Sequence, residues 1–392
     1  MTRPSPSRLP RTVIALGWVS LLTDLSSEMI YPLLPVFLTG VLGAGAAALG
    51  VIEGVAEATA SVLKVVSGYW SDRVRRRKPL VLAGYAAAGA ARPLIGLATS
   101  WVGVLGLRFA DRVGKGVRTS PRDALIADTV DPARRGRAFG FHRAMDHAGA
   151  VAGPVAAAGL LALGMPLRGV FLLAAVPAAA VILVIVKGVR EPAAPAPRPP
   201  AEPGVAGSME PGFGRLLAAL VVFTLGNSTD AFLLLRLTDV GVPAAGVALL
   251  WSAHHAVKMG ANLLGGRLAD RAGRRPALLG AWALYAAVYA GFALAEAPAV
   301  LVTLFLAYGA YFGLAEPAER AWAADLAPRG LRGRAYGLYH GAVGLAALPA
   351  SLGFGLLWKA FGAPAAFATG AALALAAAAL LLAVPAPRRP GA

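Results

Sequence analysis

Acidic residues four positions apart recur in segments that are otherwise strongly apolar. Asp24 and Glu28 form one such pair, Glu53 and Glu57 another. On a helix, residues i and i+4 share a face, so each pair presents two carboxyls to one place. Ionisable groups inside a bilayer are costly and by default point at a cavity or a partner. Carboxyls that share a low-dielectric site hold protons each would release alone, which makes an acid a usable proton carrier near neutral pH. Asp24, Glu28, Glu53 and Glu57 are therefore candidates for carrying a coupling proton. The competing reading for Glu53 or Glu57 is a structural ion pair with Lys64 or Arg108.

Basic and aromatic side chains follow the same helical spacing. Arg108, Arg112 and Lys115 fall along one stripe with Asp111 beside them, and Arg108, Asp111 and Arg112 join the coupling candidates. His142 and Asp146 are four apart, with Arg143 and His147 next to them, and His254 and His255 precede Lys258. Histidine suits proton relay because its unperturbed pKa is about 6.5. His with Asp at this spacing also suits a divalent metal, but two further ligands cannot be assigned, and no metal site is expected. His142 and Arg143 are expected near an aqueous surface as solvated charge. Candidates for lining a substrate cavity are Tyr31, Asp146, His147, Asn227, Asp230, His254, His255, Lys258, Tyr308, Tyr311, Tyr339 and His340. The tyrosines serve equally well as ordinary packing or as an interface belt.

The elements that must position these groups are membrane helices. The chain has 392 residues, of which 57% are hydrophobic and only 15% charged, against roughly 25% charged in a soluble protein. Mean hydropathy is +0.65. Apolar runs predict helices over 12–39, 46–70, 79–99, 101–120, 137–162 and 167–187, then over 215–237, 243–267, 276–295, 298–322, 334–358 and 364–385. Each run is long enough to cross a hydrocarbon core of about 30 Å. The runs do not alternate polar with apolar, which excludes a β-barrel. The predicted fold is all-α and polytopic, with residues 1–190 and 215–392 forming two six-helix halves. The Pro-rich segment 191–214 reads as a linker.

Orientation follows from charge. The net charge of +17 is concentrated in the loops at 73–78, 134–137, 187–198, 271–275 and 329–334 and at both termini. The opposite loops hold little beyond Arg168, Arg236 and Lys359. The basic side is expected to be cytoplasmic, with both termini on it and the protein in a cytoplasmic (inner) membrane. That distribution also argues against nucleic acid as a partner. The N-terminal MTRPSPSRLPRT lacks a small-residue cleavage site and reads as a retained tail. Cysteine is absent, so thiol chemistry is excluded. Residues 118–137 are expected to be mostly loop, their arginines orienting the protein.

The chain repeats itself. Ser71-Asp72-Arg73 is echoed by Ala269-Asp270-Arg271 at an offset of 198, and Asp128 with Arg137-Ala-Phe-Gly by Asp325 with Arg334-Ala-Tyr-Gly at 197. Parallel repeats imply two similar halves with a path between them. The run from Gly68 through Asp72-Arg73 to Arg77, and again from Gly266 through Asp270-Arg271 to Arg275, resembles the G-x-x-x-D-R-x-G-R-R loop of the major facilitator superfamily. Arg75 stands where the second copy has Gly273. Gly140, Gly149, Gly153 and Pro154 resemble the helix 5 pattern of that superfamily's antiporters, with Ala157 and Ala158 replacing two further glycines. Arg108 matches the family's R-x-x-Q-G arginine, although Asp111 and Arg112 follow it.

The resemblance implies a secondary transporter and not an enzyme, needing no cofactor. It implies proton-coupled efflux of a small organic or amphipathic solute by alternating access, working as a monomer in the bilayer. Gly68, Asp72, Arg73, Asp128, Asp270, Arg271 and Asp325 would latch the halves, and Gly140, Gly149, Gly153 and Pro154 would shape their seam. The alternatives are an uptake symporter or facilitator of a small polar or anionic solute, or an exporter of a metal or metal chelate.

Overall fold

In the computed structural model, residues 9–44, 46–74, 76–191, 209–228, 230–242 and 244–384 are described. Their helices make twelve spans. The first six are α1 (Arg11–Glu28), α2 (Ala46–Arg73), α3 (Lys78–Leu94), α4 (Trp101–Thr129), α5 (Arg135–Ala162) and α6 (Leu167–Leu173 with Ala175–Gly188). The second six are α7 (Pro211–Gly226 with Ala231–Asp239), α8 (Ala244–Arg271), α9 (Arg274–Leu294), α10 (Pro298–Asp325), α11 (332–361) and α12 (363–382). No regular break separates α11 from α12 except Gly362, whose φ of 85° only glycine adopts readily. Residues 192–208 of the predicted linker lie outside the described residues.

The boundaries follow local chemistry. Ser100 caps α4 by accepting a hydrogen bond from the Gly103 N–H at 3.2 Å. Pro211 and Pro298 stand at the first positions of α7 and α10, where a missing N–H costs nothing. At the end of the bundle remote from the arginine-rich loops, two isolated cations close helix ends. Arg168 donates to the carbonyls of Gly96 and Ala98 at 2.7 and 2.9 Å, and Arg236 to that of Ala295 at 3.2 Å. Cations there complement the negative end of a helix dipole.

Large apolar side chains stand exposed along the outer helices, among them Val176, Leu183, Leu345, Leu348 and Leu375. A belt of this kind has hydrocarbon as its natural solvent. Among the described residues, six helical segments are long and apolar enough to span a membrane on length and composition alone. The helices α4, α5 and α8 are just as long but carry several charges each; those of α4 and α5 and Lys258 of α8 turn inward, while Arg267 and Arg271 at the end of α8 are exposed.

Two differences from the sequence expectations matter. The helix expected over 101–120 continues through Pro121 to Thr129, and Arg118 near the expected end and Arg122 and Asp123 on the added turns are buried. The charges expected in an aqueous loop lie inside the bundle, where Arg118 is sheltered by its guanidinium stacking 4.0 Å from the Tyr85 ring. The first and seventh spans are also not continuous. α1 stops at Glu28 and resumes through Tyr31–Leu33, Leu34–Val36 and Phe37–Val41, while α7 breaks between Gly226 and Ala231. Breaks at membrane depth free backbone groups and are tolerated where they line a cavity or are buried in protein.

Candidate functional site

At the basic end, one device closes both seams between the first six helices and the last six. Asp72, at the end of α2, accepts from the backbone N–H groups of Gly333 and Arg334 at 2.8 and 2.6 Å, in the first turn of α11. Asp270, at the end of α8, accepts from those of Gly136 and Arg137 at 2.9 and 2.8 Å, in the first turn of α5. Each carboxylate satisfies donors that a helix start leaves orphaned and sits at the positive end of the dipole. Glycines permit the approach: a Cβ on Gly68 or on Gly266 would meet the facing carbonyl oxygen, of Gly333 or Gly136, at 2.4 Å.

A bridging arginine completes each copy. Arg77 joins Asp72, at 3.1 Å, to Asp128, and Arg274 joins Asp270, at 2.5 Å, to Asp325, at 3.0 Å. Arg332 then crosses to Asp128, and Arg135 to Asp325. Of the seven expected latch residues, five are in this machinery, whereas Arg73 and Arg271 are exposed. The motif's Asp-Arg neighbours are adjacent on a helix and so do not face each other. An arginine returning from the loop can reach back over the carboxylate.

Deeper in the first half, α5 lies directly on α1. A Cβ on Gly149 would meet the Leu21 carbonyl oxygen at 2.3 Å, and one on Gly153 would meet the Glu28 Cβ at 2.6 Å. Gly140 instead faces the other half, where a Cβ would meet the Asn262 carbonyl oxygen at 2.3 Å. The four-residue motif is thus divided. Only its start lies on the inter-half seam, and Gly149 and Gly153 bring α5 onto the face of α1 that carries Asp24 and Glu28. There Asp24 of α1 lies against α5, a Cβ on Gly149 meeting the Asp24 Cβ at 3.0 Å, with Asp146 one turn before Gly149. Asp146 accepts from the Ser20 hydroxyl at 2.6 Å and pairs with Arg143, whose guanidinium grips Glu316 of α10 across the seam through two nitrogens. Arg143 is therefore an inter-half tie, not the solvated charge expected from sequence, and His142 has no exposed surface. The side chains of Glu53 and Glu57 lie outside the described residues.

The α4 candidates form a separate knot. Asp111 is fully buried and accepts from the Tyr31 hydroxyl at 2.5 Å, from Arg92 Nε at 2.7 Å and from Arg108 Nη1 at 3.3 Å. The Arg108 guanidinium lies 4.0 Å from the Tyr31 ring, with that of Arg112 at 5.4 Å. Arg92, on the last turns of α3, also donates to the Thr23 carbonyl of α1 at 3.1 Å.

In the second half the break in α7 holds Asn227 and Asp230. Tyr308 donates to Asp230 at 2.8 Å, and Lys258 reaches it at 3.4 Å while lying 3.7 Å from the Phe312 ring. His147 and His255 meet across the seam, ring nitrogen to ring nitrogen, at 3.3 Å. His254 is stacked between Phe305 and Tyr308 and fully buried, and Tyr311 packs on Phe223 and Tyr285. Tyr339 donates to Glu319 at 2.7 Å, and His340 meets Asp123 at 2.9 Å. These last two belong to a buried network between α4, α10 and α11. Sequence reasoning left Arg122, Asp123, Glu319 and Arg320 out, although the halves could have been aligned to find them. Among the described residues no group of three or more acidic or histidine side chains is placed to hold a metal.

Comparison with known proteins matches this arrangement to one family. The model of the Major Facilitator Superfamily matches residues 16–236 and again 215–392. The chain belongs to the major facilitator superfamily. Like other major facilitators it is an integral membrane secondary transporter and not an enzyme. It is similar to an uncharacterized MFS-type transporter of Methanocaldococcus jannaschii, 33% identical over 90% of this chain and 89% of that protein. An uncharacterized protein of Mycobacterium tuberculosis is 32% identical over 91% of this chain and 88% of its own length. Solved structures with the same fold include a human organic anion transporter, with TM-score 0.78 at 17% identity over 97% of this chain and 100% of that one. A bacterial homologue of the iron transporter ferroportin in an outward-facing state has TM-score 0.76 at 17% identity, over 95% and 99%.

Proposed function

We propose that this transporter exports a small organic or amphipathic solute in exchange for protons, by rocking residues 1–190 against 215–392. The observation that carries the reading is the close packing of the α1 face bearing Ser20, Asp24 and Glu28 on the α5 face bearing Asp146, Gly149 and Gly153: Ser20 donates to Asp146 at 2.6 Å, and a Cβ on Gly149 would lie 3.0 Å from the Asp24 Cβ. Two carboxyls on facing surfaces at low dielectric favour holding one proton between them, because Arg143 offsets only one of their charges. Arg143 competes for Asp146 and simultaneously holds Glu316 on the opposite half. Protonation at Asp24–Asp146 is thereby wired to a bond that must break when the seam opens. Glu28 lies one turn away on the same face and supplies a second acid.

The antiporter-like glycines support export, since Gly149 and Gly153 are what let α5 reach those acids. By the positive-inside rule the latched basic end faces the cytoplasm of a cytoplasmic-membrane protein, with both termini there. The latches then hold the cytoplasmic end shut. The solute path runs between Asp146 and His147 on one side of the seam and Glu316, His255, Lys258 and Asp230 on the other. Both charge signs with Tyr31, Phe312 and Trp251, whose ring packs on that of His255 at 5.1 Å, suit an amphipathic molecule.

Proteoliposomes carrying a pH-sensitive dye inside test the exchange. A panel of amphipathic cations, anions and zwitterions, starting with ethidium, is presented under proton gradients of either sign. Exchange predicts that solute leaving by one face drives protons in by the other. Solute and protons moving together would establish symport and overturn the proposal.

A further inference from the structure

The two copies of the repeat differ in charge at the place where they touch. Arg122-Asp123 on α4 and Glu319-Arg320 on α10 occupy equivalent positions, with Asp123 and Arg320 separated by 197 residues. That is the offset relating Asp128 to Asp325, yet here the signs are reversed between copies. Asp123 accepts from Arg122 Nε and Nη2 at 2.9 and 2.8 Å, from Arg320 Nη1 at 2.6 Å, and meets His340 Nε2 at 2.9 Å. It has no exposed surface, and Arg320 is 7% exposed.

Asp123 therefore bonds to its own counterpart. In a protein of two related halves, only residues on the axis between them can do so. A second counterpart pair confirms the position: Phe139 and Tyr336 pack edge to face at 5.8 Å, and the Tyr336 hydroxyl donates to the Arg320 carbonyl at 2.9 Å. Had the copies kept identical residues here, the contact would set Asp on Asp or Arg on Arg, two like charges buried together. Every other counterpart in the latches kept its sign.

We propose that the reversed pair Asp123–Arg320 is an axial lock that holds the basic end closed and must part before that end opens. It rests on the rocking reading of the fold. The peripheral latches cap helix ends at the seams, whereas this bond lies on the axis and ties α4 directly to α10, with His340 adding α11. Parting it in dry protein would strand a charge, so it opens only as water enters, making opening steep instead of gradual. Arg122 remains with Asp123 when Arg320 leaves, which gives the carboxylate a partner in both states.

The absence of native cysteine allows spin labels at Arg76→Cys and Ala272→Cys, exposed positions in the α2–α3 and α8–α9 loops. Pulsed electron resonance in lipid then reads the distance across the basic end. The parent should show mainly the short distance. Arg320→Asp, which restores like charges, and Asp123→Asn, which leaves Arg122 and Arg320 facing each other, should raise the ratio of long to short distance at least about tenfold. Asp123→Asn with Arg320→Gln removes both signs and should return the ratio towards the parent. Distances unchanged in both single variants, or a double variant as open as Asp123→Asn, would overturn the lock. Asp72→Asn with Asp270→Asn is the arm for the rocking reading. If it opens the end and the axial variants do not, only the lock fails; if nothing lengthens the distance, rocking itself fails. Recovery in the double variant also separates opening from misfolding, since it carries more substitutions than either single one.

Discussion

The broken first and seventh spans hold their acids in opposite ways. One turn before the α1 break, Asp24 lies on the face that packs against Asp146, whose cation is shared with Glu316 on the far half. At the α7 break, Asp230 is already balanced by Lys258 and by the Tyr308 hydroxyl. An acid beside an acid needs a proton to be stable at low dielectric, whereas an acid beside a lysine does not. On the proposed reading, similar architecture in the two halves gives one site that carries protons and one that holds a polar solute group. The Asp111 knot gives the same contrast within the first half, because three cationic or hydroxyl donors leave that carboxylate no use for a proton.

Substitutions at the two breaks should separate these roles. Asp24→Asn should cut proton-coupled transport by about two orders of magnitude while leaving uncoupled solute exchange, since proton transfer through a placed acid is worth 10²–10⁴-fold. Asp230→Asn should weaken solute binding, with the proton stoichiometry retained. Equal loss of coupling in the two variants, measured as solute and proton fluxes in one vesicle preparation, would erase the distinction.

The divided glycine motif gives a second contrast. Gly140→Val should prevent closure of the α5–α8 seam, read as loss of the short distance across the basic end, with each half intact. Gly149→Val overpacks α1 against α5 within one half, so it should instead lower thermal stability by about 1–3 kcal/mol. Similar thermal shifts with similar distances would show that the two glycines do the same thing. A smaller effect concerns the latch cations. Arg77→Ala and Arg274→Ala each remove a bridge between two carboxylates and should shift the closed state by about 1–2 kcal/mol. Arg73→Ala and Arg271→Ala should stay within about 0.5 kcal/mol, as exposed substitutions do.

Much of this was legible in the residues. The number of spans followed from apolar runs and Pro or Gly punctuation, and the recurrence at the half-chain offset picked out the aspartates that meet helix starts at the seams. What escaped was charge that pairs out of sight. Arg118, Arg122 and Asp123 lower the apparent hydropathy of 118–129 as a loop would, and hydropathy cannot register that Tyr85 and Arg320 receive them. Arg143 looked like a surface cation because its partner Glu316 lies 173 residues away on another helix. The helix breaks at Met29–Ile30 and Asn227–Asp230 carry no glycine or proline signal of their own beyond Pro32 and Gly226. They are set by tertiary packing, which a one-dimensional pattern does not contain.

The most direct measurement needs no knowledge of the solute. Infrared spectra of the protein in lipid at neutral pH should show a protonated carboxyl band that both Asp24→Asn and Asp146→Asn diminish and Asp230→Asn leaves unchanged. A band indifferent to Asp24 and Asp146, or one that depends on Asp230 alone, would contradict the assignment of the proton to the α1–α5 pair.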